Sequence, residues 1–150
     1  MKKIFFIMIL ALGISMNNFA LKAQSRDTFT NERHLYNQQG QLEKTWRLDS
    51  GGYINEYNNQ GQLLRKFKSN SSSTSNTSNL YNNQGQFQGS LKQQGEYGNF
   101  YDNKGQLTKK YKSDSHGNVQ IYNPQGQYQG TVKKDGTILN QNGRIIGRVK

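Results

Sequence analysis

Six times along the chain, one apolar residue leads into a short polar stretch, a glycine and a second apolar residue. The copies are YNQQGQL from Tyr36, YNNQGQL from Tyr57, YNNQGQF from Tyr81, YDNKGQL from Tyr101, YNPQGQY from Tyr122 and LNQNGRI from Leu139. Their glycines, Gly40, Gly61, Gly85, Gly105, Gly126 and Gly143, lie 21, 24, 20, 21 and 17 residues apart. A period near 20 recurring this often marks a repeat architecture. Two residues after each glycine stand Leu42, Leu63, Phe87, Leu107, Tyr128 and Ile145; six after it stand Trp46, Phe67, Leu91, Tyr111, Val132 and Val149. Even spacings place both columns on one face of a strand. Seven residues after each glycine there is always a cation: Arg47, Lys68, Lys92, Lys112, Lys133 and Lys150. An odd spacing puts that row on the opposite face. The residue before each tyrosine, from Leu35 and Glu56 to Leu80, Phe100, Ile121 and Ile138, is expected on the cation face too.

The polar stretch between the flanks is a turn. Asn37, Asn58, Asn82, Asp102, Asn123 and Asn140 sit three residues before the glycines. Asn and Asp open type I turns because the side chain bonds the backbone two residues on. Glycine then takes the left-handed position without a Cβ clash. Together they describe a three-residue hairpin loop closed by a G1 bulge. Pro124 falls where its fixed φ already suits the second turn position. In such a hairpin Tyr36 faces Leu42 and Tyr57 faces Leu63, and directly opposed residues share a face. The fold class is therefore all-β: an antiparallel meander of six tandem hairpins, about twelve short strands, in an open or superhelical single sheet. No copy buries its apolar columns alone, so neighbours must stack.

The turns at the other ends of the hairpins, DSGG at Asp49, SDSHGN at Ser113 and KKDGT at Lys133, vary in length. The run NSSSTSNTSN, residues 70–79, reads as a polar low-complexity loop. The repeat domain is expected over residues 34–150, preceded by a flexible lead-in at 24–33. Residues 1–23 have the order of a secretory signal: Lys2 and Lys3, an apolar run of 11 residues from Ile4 to Ile14, then a polar region ending at Ala23. The run is shorter than the roughly 20 residues a spanning helix needs. Export to the cell surface, periplasm or medium follows, with no membrane span after cleavage.

Hydrophobic residues make up only 31% of the chain, which by itself leans toward disorder. The nine tyrosines, seven phenylalanines and the strict repeat oppose that leaning. There are no cysteines, so no disulfide supports the domain. The formal net charge is +11, and removing Lys2, Lys3 and Lys22 with the signal leaves 17 − 9 = +8, which suits acidic polymers outside the cell, such as anionic glycans, surface phosphates or DNA. It also serves solubility.

Catalytic patterns are not evident. The two histidines, His34 and His116, fall in different repeats; His116 lies in a turn beside Asp114, where a metal or proton-shuttle role competes with that of an ordinary loop histidine. The acidic residues are scattered, and the serines show no triad-like partners. No catalytic residue, metal site or cofactor is expected. The candidate site residues are surface rows. The cations Arg47, Lys68, Lys92, Lys112, Lys133 and Lys150 would recur every second strand, about 9–10 Å apart, and could track a linear polyanion; as surface lysines they also resist aggregation. Tyr36, Tyr57, Tyr81, Tyr101 and Tyr122 could stack on ligand rings, or pack on the opposed Leu column, which their register with the turn already explains.

The cadence Tyr, Asn/Asp, two residues, Gly, one residue, Leu resembles the YD repeats of large bacterial surface and toxin shells of the Rhs type, YDNKGQL at Tyr101 being the nearest copy. It is similar, more weakly, to the hairpin repeats of choline- and glucan-binding modules. Those carry a Gly-Trp pair and paired aromatics, whereas here Trp46 is the only tryptophan and only Phe100–Tyr101 forms such a pair. The resemblance implies a secreted, surface-acting, non-catalytic hairpin repeat. The expected function is binding of an extracellular or cell-wall polymer, a polysaccharide or other polyanion. The alternatives are a self-associating matrix component, prompted by open sheet edges, and a secreted effector acting on another protein.

Overall fold

The computed structural model describes residues 32–72 and 75–150, and the side chains of all of these except 69–72 and 75–76. The expected signal segment and most of the expected lead-in lie outside the described residues. The twelve expected strands are present: β1 (Glu32–Asn37), β2 (Leu42–Leu48), β3 (Tyr53–Asn58), β4 (Leu63–Ser72), β5 (Ser75–Asn82), β6 (Phe87–Gln94), β7 (Tyr97–Asp102), β8 (Leu107–Ser113), β9 (Val119–Tyr122), β10 (Tyr128–Val132), β11 (Thr137–Asn140) and β12 (Ile145–Val149). Each pairs antiparallel with its neighbour in sequence. The sheet is not open, however. β1 also pairs with β12, with Leu35 opposite Val149 and Gly147 opposite Asn37, and the meander closes into a barrel. Two boundaries also differ from expectation. β1 starts at Glu32, inside the expected lead-in. Within the 70–79 stretch, residues 70–72 continue β4 and residues 75–79 belong to β5, with Asn70 opposite Thr77 and Ser72 opposite Ser75. Serine and asparagine are weak strand formers, but β-propensity yields to context, and Thr77 and Ser78 are also held by β6.

The tips form as the sequence dictates. In the second repeat Asn58 Oδ1 accepts the N–H of Gln60 at 3.0 Å and of Gln62 at 2.8 Å. Gly61 donates to the Asn58 carbonyl at 3.0 Å with φ of 78°. Six such tips line one end of the barrel. The turns at the far end are less different than their sequences suggest: Asp49 and Asp114 make the same side-chain bonds to the residues two and four ahead. These bonds, with those from Asn55 and Asn118, hold both carboxyls below the usual aspartate range; the largest contribution is the Tyr53 N–H for Asp49 and the Asn118 side chain for Asp114.

Each tip hairpin carries one irregularity of register at an equivalent place. Tyr36 faces Leu42, but Leu35 faces Lys44, so Glu43 is an extra residue. The same skip recurs in the other five repeats. An extra residue inverts the in–out alternation beyond it and sharpens the twist. The expected sharing of a face by Leu42 and Trp46 is therefore wrong. The tyrosine and +2 columns lie outside, while Trp46, Phe67, Leu91, Tyr111, Val132 and Val149 lie inside. Leu35, Leu80, Phe100, Ile121 and Ile138, expected on the cation face, point into the same core. The expected opposition of Trp46 and Arg47 holds: Trp46 is 1% exposed, and the Arg47 side chain 57%. Six equivalent bulges bend the sheet the same way, and this uniform curvature brings β12 back to β1.

Inside, large residues are matched by small ones. Leu80 faces Gly89, Ile121 faces Gly130 and Ile138 faces Gly147. A Cβ on Gly89 would lie 2.3 Å from the Tyr101 carbonyl oxygen, and one on Gly130 would lie 2.4 Å from that of Leu139. In the other repeats the glycine position holds Lys44, Arg65 or Lys109. Glu56 replaces an aliphatic residue opposite Arg65 and is fully buried. Its carboxylate accepts Lys44 Nζ at 3.0 Å, Arg65 Nη2 at 2.9 Å and Trp46 Nε1 at 3.1 Å.

Candidate functional site

The outward face is built from the columns the bulges leave there. The six predicted cations all stand on it, and closure turns their row into a belt around the barrel. Arg47, Lys92, Lys112, Lys133 and Lys150 are exposed and Lys68 is half-buried. A belt differs from the linear track expected from sequence: a straight polymer meets only part of it, and a longer one must wrap.

Five cations are seated over tyrosine rings. Arg47 lies over Tyr57 at 5.4 Å from the ring centre, Lys92 over Tyr101 at 5.3 Å and Lys150 over Tyr36 at 5.4 Å. Each reaches the tyrosine of the next repeat, and Lys150 does so across the β12–β1 seam. Lys68 and Lys112 instead use Tyr53, at 4.6 Å, and Tyr97, at 5.6 Å. Cation–π contacts at such exposed sites contribute about 0.5–1 kcal/mol. Their further effect is to restrict a long, mobile side chain, which lowers the entropy lost in any fixed contact that cation makes. Arg47 is partly neutralised by Glu32, 3.0 Å away.

The tyrosine column answers differently from the cations. Tyr36, Tyr57 and Tyr101 carry a cation on the ring. Tyr81 and Tyr122 stand edge-on to Phe87 and Tyr128, with centroids 6.1 and 6.0 Å apart. All five are half-buried beside their cross-strand partners. The rings thus act as pedestals and packing surfaces rather than as an open stacking ladder.

The sequence reading missed Tyr53 and Tyr97. The signal was present, since each lies four residues before a column tyrosine and so on the same face. The buried group of Glu56, Lys44 and Arg65 was also missed. It is satisfied internally and packs the barrel. His116 donates its backbone N–H to Asp114 Oδ1 at 2.9 Å, as a turn residue does. His34 Nδ1 lies 3.1 Å from Thr45 Oγ1. Among the described residues no group of three or more His, Cys, Asp or Glu is placed to hold a metal ion. Among the described residues no helix is long and apolar enough to cross a membrane. Comparison of the whole chain with known proteins finds no matching family model and no matching curated protein.

Proposed function

We propose that this is an exported, non-catalytic repeat protein that binds an anionic extracellular or cell-wall polymer through the outward cation belt. The observation that carries the reading is the seating of Arg47, Lys68, Lys92, Lys112 and Lys150 on tyrosine rings. Cations scattered only for solubility have no need of a fixed pedestal. Without the expected signal, which holds Lys2, Lys3 and Lys22, the 17 remaining Lys and Arg against 9 Asp and Glu leave a net charge of 17 − 9 = +8, which supports long-range attraction of the same ligand class. The likeness of the tips to YD-type repeats fits a surface-acting module. Among the described residues the outward face mixes cations and amides with its aromatic residues, with no unbroken apolar band, about 25 Å tall, like that of a membrane barrel. That supports a barrel surrounded by water.

Retention of the purified protein on anionic glycans, peptidoglycan and DNA across a salt series tests the reading. Retention that falls steeply with ionic strength is expected, and weaker retention when Lys92, Lys112 and Lys150 are changed together to Gln. No retention on any of these polymers at any ionic strength would reject it.

A further inference from the structure

The belt hides a second, longer period. Two residues before each belt cation, the outward position holds Thr45, Lys66, Ser90, Lys110, Thr131 and Arg148 in turn. Hydroxyl and cation alternate. Doubled cations therefore fall on β4 (Lys66, Lys68), β8 (Lys110, Lys112) and β12 (Arg148, Lys150). These strands lie four apart in a ring of twelve, a third of the circumference from one another.

The surroundings of two doublets match closely: three of the four facing positions hold the same residue, and the fourth holds a side-chain amide in both. On one side Tyr53 faces Lys68 and Asn55 faces Lys66, just as Tyr97 faces Lys112 and Asn99 faces Lys110. On the other, Tyr81 faces Lys66 and Asn79 faces Lys68, as Tyr122 faces Lys110 and Gln120 faces Lys112. An amide–phenol bond flanks each doublet, in opposite senses: Asn79 Nδ2 donates to the Tyr81 hydroxyl at 3.3 Å, and the Tyr122 hydroxyl donates to Gln120 Oε1 at 2.7 Å. On β12 the match fails. Asp135 takes the place of Tyr53 and Tyr97 and interacts with Arg148, whose charge helps hold the Asp135 carboxyl low behind the leading effect of the Thr137 N–H.

We infer that β3–β5 and β7–β9 carry two equivalent subsites, each for a short anionic stretch of polysaccharide, and that the β12 doublet is not a third. The inference rests on the polymer-binding reading above. Two lysines two residues apart on a strand set their Cα atoms about 7 Å apart, and between amides and phenol hydroxyls they offer donors to both the acidic group and the hydroxyls of a sugar acid. The same features disfavour nucleic acid. The rings of Tyr53 and Tyr97 already carry a lysine, and those of Tyr81 and Tyr122 are half-buried against Phe87 and Tyr128, which is unlike the open faces that stack bases. The two subsites are unequal in one respect. Asp49 bonds Asn55 at 3.0 Å and interacts with Lys66, whereas Gln93 occupies the equivalent position before β7. The β7–β9 subsite is the tighter.

Calorimetric titration at low salt with a tri-uronate, with a sulfated trisaccharide and with a single-stranded trinucleotide decides the matter. Two equivalents of at least one saccharide are expected, the sulfated and carboxylated arms distinguishing which acid is preferred. K66Q/K68Q and K110Q/K112Q should each remove one equivalent, the second variant removing the tighter one. K104Q/K134Q makes the same change of charge outside the belt and should alter affinity less than twofold. Trp46 fluorescence checks that each variant is folded. If K104Q/K134Q weakens binding as much as the doublet variants, or if the native stoichiometry is not two, the subsites are refuted while retention on polymers still upholds the broader function. Preferential binding of the trinucleotide overturns the ligand class. Failure of the native protein on every polymer in the salt series removes both readings.

Discussion

Glu56 shows how much one side chain can depend on its neighbours. A fully buried carboxylate survives only if its charge is matched, and Lys44, Arg65 and Trp46 together match it. Glu56→Leu leaves Arg65 buried with its carboxylate gone, and should lower stability by about 3–5 kcal/mol in urea unfolding. Adding Arg65→Leu should recover most of that loss, since an apolar pair of similar volume is often as stable as a buried ion pair. Lys109 occupies the same interior column. Burial, with a further push from the Arg65 charge, lowers its pKa to about 8 from an ordinary 10.5. The unfolded chain therefore binds more protons than the folded one between those values, so stability should rise as pH increases from about 8 toward 10. The gain is bounded at roughly 3 kcal/mol. Burial of Tyr111 raises its pKa, so it opposes the trend above pH 10, where the unfolded phenol ionises. Lys109→Met should flatten the slope between pH 8 and 10, read from urea midpoints at each pH. None of these interior charges was legible as a site, because Glu56 follows the column of apolar residues before each tyrosine and looks like one polar exception among them.

At the scale of the hairpin, the tips were legible and the bulges were not. Asn, Gly and Pro124 each have a backbone reason to stand where they do, so turn type and cross-strand register could be read directly. The extra residues of the bulges, Glu43, Leu64, Gln88, Thr108, Gln129 and Ile146, share no chemistry. Assuming unbroken alternation through them put Trp46 with Leu42 and Leu35 with Arg47, and both assignments were inverted. A clue lay one position further on. Gly89, Gly130 and Gly147 sit at the same point of three repeats, and a glycine inside a strand marks a bulge or a close backbone approach. Gly89→Ala would drive a methyl group into the Tyr101 carbonyl, 2.3 Å from the new carbon, in a backbone with φ of 154°. A loss of about 1–3 kcal/mol is expected from the forced shift. Ala at Gly40, where nothing lies within 4 Å, should cost less, since only its left-handed backbone is unfavourable. Thermal or urea melts of the two variants side by side give the comparison.

For the whole molecule, the number of strands and their antiparallel order followed from the period, but closure did not. Curvature accumulates from six bulges of unreadable position, and only its total decides whether the last strand meets the first. The seam is fully formed: His34 and Lys150 exchange both backbone hydrogen bonds at 3.1 Å. It absorbs the edges that prompted the expectation of self-assembly. Deleting one whole repeat, Gly85 through Lys104, would keep every remaining turn sequence but leave ten strands with curvature set for twelve. The expected result is a species that either loses its far-ultraviolet β signal or completes the ring with strands from a second chain, seen as a concentration-dependent dimer by light scattering. A well-folded monomer would show that the bulges adapt to number.

The seam also bears on ancestry. An open stack can lengthen or shorten by one unit at a time, each intermediate being as soluble as the last. A ring whose curvature is set for twelve strands admits no such gradual path: copies added singly leave two raw strand borders until the circle is complete. With curvature so fixed, a lineage leading to this molecule crosses that gap by pairing with another chain or by gaining several units together.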